Sequence, residues 1–182
     1  MNGAFEWIGF IAEWLGRFIP RWVIIETTQG GVKFKGGDDP VYCEPGICWY
    51  WPIRSTIEIH PIVRQTDRLE TQTMESKDGI TFIVSGTITY TIKDLMALVT
   101  TTHSPLTTVV DIAMSAIHDI CCDFEWKELQ AEQRKGTLKT KLRNEAQKQL
   151  KDFGIDVLML KTNSLARARV FKVAQSTSNE EN

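Results

Sequence analysis

Asp78-Gly79-Ile80-Thr81-Phe82-Ile83-Val84-Ser85-Gly86-Thr87-Ile88-Thr89-Tyr90-Thr91-Ile92 is the stretch whose reading decides the fold. Asp-Gly opens it, and both residue types tolerate the positive φ of a tight hairpin turn. Ile80, Phe82, Val84, Ile88, Tyr90 and Ile92 then share one face, with Gly86 as a gap in it. Thr81, Ser85, Thr87, Thr89 and Thr91 share the other, with Ile83 as the one apolar intruder. A period of two held this long predicts a strand with one face dry and one face wet. The polar run from Arg64 to Ser76 is its expected hairpin partner.

Upstream, the chain reads as short strands and Gly/Pro turns. Trp22–Thr27 is an expected first strand, Gln29-Gly30-Gly31 a turn, and Val32–Lys35 a second strand. Glu44-Pro45-Gly46 is a turn leading into the aromatic strand Ile47-Cys48-Trp49-Tyr50-Trp51. Alternation puts Trp49 and Trp51 on one face and Tyr50 on the other, so one face is core; the other is a candidate for contact with lipid headgroups. Core alone is the preferred reading of the three. Ile57, Ile59, Ile62 and Val63 continue a sheet expected to break at His60-Pro61.

Downstream the period changes to that of helices. Lys93 to Thr100 is an expected short helix. Ser104-Pro105 marks the start of another, with Leu106, Val109, Val110, Ala113, Ile117, Ile120 and Cys121 as its apolar stripe. A further helix is expected from Trp126 to Phe153, with Gly136 loosening it and Gly154 as its C-cap. Leu138, Leu142, Ala146 and Leu150 form its thin seam, with Leu129 off it, and such a seam suits contact with a neighbouring helix. Ile155–Leu160 is a return strand, and the residues after Gln175 are a polar tail. The expected division is an N-terminal helix over 1–20, a β-rich part over 21–76, a mixed part with a central strand, two helices and a return strand over 77–175, and a tail over 176–182.

The first twenty residues are read as a membrane-anchoring amphipathic helix. Asn2, Glu6, Gly9, Glu13, Gly16 and Arg17 collect on a narrow polar stripe. Phe5, Trp7, Ile8, Phe10, Ile11, Trp14, Leu15, Phe18 and Ile19, followed by Trp22, are the candidate membrane-binding residues. A helix from Ala4 to Ile19 covers roughly 24 Å, short of the ~30 Å hydrocarbon core, and carries three charges, so it is expected to lie in the interface and not to span it. A basic leader region is missing, which argues against a secretory signal.

Composition narrows the function classes. Hydrophobic residues at 42% and charged residues at 24% make a globular chain, and a net charge of −2 argues against a general nucleic-acid binder. Four cysteines do not make a secreted disulfide framework. Cys43 and Cys48 flank a turn across which they can meet, but ordinary thiols in a reducing compartment are the preferred reading. His118 and Cys122 stand one helical turn apart and invite a metal, with Cys43 or Cys48 completing the set. No recognised zinc spacing is present, so burial of Cys121 against the sheet is preferred. A Cys–His nucleophile lacks an orienting partner, and neither Gly-Gly pair precedes a phosphate-binding helix. No catalytic residue, metal or cofactor is expected.

Taken in order, several of these elements resemble the SPFH or band 7 domain of stomatins, prohibitins and flotillins. Gln29-Gly30-Gly31-Val32 is similar to the family's Gly-containing opening strand pair, and Glu44–Ile53 to its Pro-Gly-Leu-His-Phe-x-x-Pro-Phe segment. Asp67-Arg68, Lys77-Asp78-Gly79-Ile80, Tyr90-Thr91-Ile92-Lys93-Asp94 and Phe153-Gly154-Ile155-Asp156-Val157 resemble its later elements in register, so the resemblance covers about 21–174. It implies an α+β domain with an all-β first part and a mixed second part. It also implies a non-enzymatic membrane scaffold assembling into homo-oligomeric rings, peripheral or monotopic on the cytoplasmic face. Acylation of Cys121 or Cys122 follows from the same resemblance. The family's long coiled coil is not found before Asn182, so a flat ring or a smaller oligomer is expected. The alternative expectation is a regulatory or adaptor subunit docked on a membrane protease.

Overall fold

The structure, a computed structural model, describes residues 19–36 and 39–168. Most of the expected membrane helix, from Phe5 to Phe18, and the polar tail lie outside the described residues. Among the described residues, eight strands and four helices follow in order. The strands are β1 (Arg21–Ile25), β2 (Gln29–Lys35), β3 (Val41–Cys43), β4 (Gly46–Tyr50), β5 (Ser55–Pro61), β6 (Gln65–Glu75), β7 (Thr81–Ile92) and β8 (Ile155–Arg167). Between β7 and β8 come α1 (Leu95–Thr101), α2 (Pro105–Cys122), α3 (Trp126–Lys135) and α4 (Thr137–Leu150), then a 3-10 turn at Lys151–Phe153. The strands make three antiparallel sheets, β1-β4, β3-β2-β5 and β6-β7-β8. By hydrogen bonding β6 belongs with β7, so the break between sheets falls between β5 and β6, upstream of residue 76.

β7 is the centre of the second part, paired with β6 on one edge and β8 on the other. Phe82, Val84, Ile88, Tyr90 and Ile92 are buried as their period demands. The gap at Gly86 is a seat for α2: a Cβ there would stand 3.0 Å from Ile117 Cδ1 and 3.0 Å from the Lys161 carbonyl oxygen. On the wetter face, hydroxyls bond across the strands, Thr66 to Thr89 at 3.1 Å and Ser85 to Ser164 at 2.8 Å.

Three of the short sequence elements prove to be junctions. At the β6–β7 turn, Asp78 Oδ1 accepts the Ser76 hydroxyl proton at 2.5 Å and the Trp126 backbone N–H at 3.1 Å. The Lys77 N–H donates to the Phe124 carbonyl at 3.1 Å, and the Trp126 ring lies 5.6 Å from that of Phe82. One carboxylate thus ties the hairpin to the start of α3. Along β7, the buried Tyr90 hydroxyl donates to Asp67 Oδ2 at 2.9 Å. Burial first, then the bond to Asp67, pushes this phenol well above its ordinary range. At the third junction, the Gly154 carbonyl accepts the N–H groups of Lys93 at 2.8 Å and Asp94 at 3.0 Å. Gly154 has φ +71°, and a Cβ on it would collide with the Asp94 carbonyl oxygen.

Several expectations are corrected. Gly30 and Gly31 sit inside β2, and the turn before them closes between Glu26 and Gln29. β5 takes in His60 and ends at Pro61, so the sheet breaks there as expected, but Ile62 and Val63 lie outside the strand. The single helix expected from Trp126 to Phe153 is α3, α4 and a 3-10 turn, because Gly136 adopts φ +77° and ends α3. With the short helix expected near Lys93–Thr100 present as α1, the second part holds four helices among the described residues. Leu138, Leu142, Ala146 and Leu150 are all buried in the domain core beside Leu129, so the seam is not free for a neighbour. On α2, Leu106 falls out of the stripe and is exposed.

α4 also covers part of the β8 edge. Gln147 accepts the Val157 N–H at 2.6 Å and donates to the Ile155 carbonyl at 3.1 Å, while Arg143 Nε donates to the Val157 carbonyl at 2.8 Å. Beyond this cover, no described strand pairs with the outer edge of β8.

Two measurements check these junctions. Gly154→Ala is expected to lower stability by at least ~2 kcal/mol in urea unfolding, since it adds a collision to a left-handed backbone. Gly136→Ala, with open space around its Cβ, is expected to cost about 1 kcal/mol. The bond from Ser76 holds the Asp78 carboxyl below its usual range, with the Trp126 N–H also lowering it. Its contribution is therefore present above the unfolded value near pH ~4 and is lost as pH falls through the lower folded value. Melting temperature followed from pH 7 to pH 2 is expected to fall less steeply in Asp78→Asn than in the parent chain.

Candidate functional site

Most strands in this domain hide their apolar residues. The β1-β4 ribbon shows its own to solvent. Its register sets Trp22 opposite Trp49 and Ile24 opposite Ile47, all on one face. Trp22 and Trp49 are each 59% exposed, with their rings stacked at 6.4 Å. Ile24 and Ile47 are each 61% exposed. At the Arg21–Tyr50 end of the ribbon, Ile19 precedes β1 and Trp51 and Ile53 follow β4, and all three are also more than half exposed. At ~150–250 Å² for each fully exposed aromatic side chain, the apolar area is on the order of 800 Å². The largest patch on an ordinary monomer is ~300–600 Å².

The opposite face seats the ribbon. Ile25 is buried, and its Cδ1 fills the space that a side chain at Gly31 would take, 2.6 Å from the Cβ position. Gly30, on the other face of β2, leaves room in the same way for Leu95 of α1 at 2.8 Å. The glycine pair thus lets the ribbon and the second part approach one strand from its two sides. Lys33 Nζ adds a bond to the Trp49 carbonyl at 2.6 Å.

Beside Trp51 lies a cleft of about 520 Å³, lined by Lys33, Lys35, Gly36, Trp51, Ile53, Arg54 and Ser55. Ser55 closes its floor, donating to the Trp51 carbonyl at 3.0 Å and accepting the Trp51 N–H at 3.2 Å. No carboxylate among the described residues forms an ion pair with Lys33, Lys35 or Arg54. Three cations thus stand at the same end of the ribbon as the apolar surface and the junction with residues 1–18. Such a surface can enter a bilayer interface while its cations meet anionic headgroups.

Of the candidate site residues, Ile19 and Trp22 fall on this surface, together with Trp49 and Trp51. The preference for core over 49–51 is overturned, since neither tryptophan is buried; Tyr50 is half-buried on the inner face. Phe5, Trp7, Ile8, Phe10, Ile11, Trp14, Leu15 and Phe18 lie outside the described residues. Cys121 is buried in the core, its thiol pushed up to about 12 chiefly by desolvation, and Cys122 is half-buried. His118 is exposed, with Nδ1 3.7 Å from Asp119 Oδ1. Among the described residues no group of three His, Cys, Asp or Glu side chains is placed to hold a metal. α2 alone among them is long and apolar enough to cross a membrane, yet Val109, Ala113, Ala116, Ile117 and Cys121 pack it on the core.

Sequence reasoning missed Ile24, Ile47, Ile53, Lys33, Lys35 and Arg54. Trp22-Val23-Ile24-Ile25 and Ile47-Cys48-Trp49 are apolar on both faces, a signal that one face needs a partner outside the core. The basic cleft has no local signal, since β2 and the 51–55 turn meet only in the fold.

The architecture defines an α+β domain with an all-β first part and a second part in which four helices lie between two strands of one sheet. A family profile described as SPFH domain / Band 7 family matches residues 23–170. The chain belongs to that family, which is membrane-associated and of scaffold type. A comparison with curated proteins finds no match.

Because both tryptophans project outward, replacing either with serine is expected to lower stability by no more than ~1.5 kcal/mol, the upper value of an aromatic pair. Phe82→Ala, from the centre of the core, is expected to cost ~3–5 kcal/mol. Urea unfolding of the three variants makes the comparison.

Proposed function

We propose that this protein is a non-enzymatic scaffold that lies on a bilayer through the β1-β4 ribbon and assembles with copies of itself. The observation that carries the reading is the exposed Trp22–Trp49 face with the Lys33–Lys35–Arg54 cleft at one end. The residues at 5–19 join the chain at that end, so an amphipathic helix there and the ribbon enter the same interface. Trp51 and Ile53 reach the headgroup level beside the three cations. Family membership supports the scaffold class, and a ring of copies on the cytoplasmic face is the assembly proposed. The chemistry is binding, with no bond made or broken.

Each basic side chain near an anionic membrane contributes ~1 kcal/mol at most. Lys33→Gln/Lys35→Gln/Arg54→Gln is therefore expected to weaken co-sedimentation with phosphatidylserine vesicles by about ten- to a hundredfold. Binding to neutral phosphatidylcholine vesicles should barely change. Trp22→Ser/Trp49→Ser should weaken binding to both by at least about tenfold. Vesicle binding unchanged in the folded double variant would overturn the membrane reading of the ribbon.

The assembly is tested separately by light scattering and negative-stain imaging of the full chain in mild detergent. Closed rings of many copies are expected. A monomer or dimer would instead favour a regulatory or adaptor subunit on a membrane partner such as a protease.

A further inference from the structure

Cys43 ends β3 and Cys48 lies in the middle of β4, with Glu44-Pro45-Gly46-Ile47 between them. Their sulfurs are 2.8 Å apart. A disulfide closes at about 2.05 Å, so bonding needs a movement of only about 0.8 Å. The pairing is not local decoration. Cys43 is registered against Gly31 of β2, and Cys48 against Val23 of β1, so the two thiols belong to different sheets. The turn that brings them together is held by Gly46, whose φ of +135° is open to glycine and strained for other residues.

We propose that Cys43 and Cys48 are a redox dithiol that closes to an intramolecular disulfide, stapling the exposed ribbon to the β3-β2-β5 sheet. The oxidant class is a hydroperoxide. Cys48, the more exposed of the two, meets it first. The Cys48 sulfur attacks the peroxide, the O–O bond breaks, an alcohol leaves, and Cys48 becomes a sulfenic acid. Cys43 then attacks that sulfur, the S–S bond forms, and the hydroxyl leaves as water with the Cys43 proton. Two electrons pass from the thiol pair to the peroxide, and a small-molecule dithiol reverses the change by exchange. Burial and the neighbouring Cys48 hold the Cys43 thiol up at about 11, so the resolving step depends on the closeness of the two sulfurs. Cys121 and Cys122, by contrast, are adjacent in one helix and have no such partner geometry.

The inference does not depend on lipid contact, and its test needs no membrane. The full-length protein is treated with a small hydroperoxide, denatured, alkylated with iodoacetamide and digested with trypsin. Lys35 and Arg54 bound a fragment, 36–54, that holds both cysteines once cleavage is complete. It is expected to lose two hydrogens and resist alkylation, and to become doubly alkylated after prior reduction. The oxidised protein should also melt a few degrees higher than the reduced one, a difference lost in Cys43→Ser and in Cys48→Ser and kept in Cys121→Ser/Cys122→Ser. Full alkylation of 36–54 after oxidant, a bridge between two chains, or a bridge at Cys121–Cys122 in its place would overturn the proposal. If the bridge forms while the Trp22→Ser/Trp49→Ser variant still binds vesicles like the parent, the dithiol stands and the membrane reading falls.

Discussion

The pairing of β7 on both edges is the constraint on which the second part depends. Its twelve residues place the apolar face against the helices through one register only. A slip of one residue would turn Phe82, Val84, Ile88 and Tyr90 to the wet side and set threonines into the core. The helices are keyed to that register. Ile117 fits the space over Gly86, Trp126 lies against Phe82, and Asp78 at the hairpin turn holds the first free N–H of α3. Position along one strand thus determines where α2 seats and where α3 begins.

The first part is governed by the opposite problem. A two-stranded ribbon has little stability of its own in water, so β1 and β4 must borrow support. They obtain it on one face from Ile25 set into the Gly31 space and from the Lys33 bond to the Trp49 carbonyl. The other face remains open and heavily apolar. This division of labour makes physical sense of the glycine pair in β2: with side chains at 30 and 31, neither the ribbon nor α1 would approach that strand.

Much of the second part was legible in sequence because its signals are local. A period of two from Ile80 to Ile92, an Asp-Gly turn, a Ser-Pro start and a Gly stop each specify backbone geometry within a few residues. The three junctions at Asp78, Tyr90 and Gly154 show what those short elements do: each bonds to a residue far away in sequence. The misreadings have a shared cause. Gly30-Gly31 looked like a turn because glycine's commonest use is conformational, whereas here it is the missing Cβ that counts. Trp49 and Trp51 looked like core because alternation reveals two faces without saying which is dry. Gly136, read only as loosening one long helix, ends it outright through its positive φ and divides α3 from α4. The basic cleft joins residues 33–36 to 51–55, a pairing that only tertiary structure creates.

The uneven cover on β8 has a consequence for how copies of this domain can associate. Gln147 and Arg143 satisfy the backbone of Ile155 and Val157, so the sheet is closed to strand addition at that end. Farther along, toward Arg167, the described edge has no strand beside it. A strand pairing along 158–167 would meet the side-chain amide and guanidinium groups at Val157 and stop there. The helix therefore acts as a stop: it fixes one end of any strand pairing there and so sets the register from which an added strand is counted.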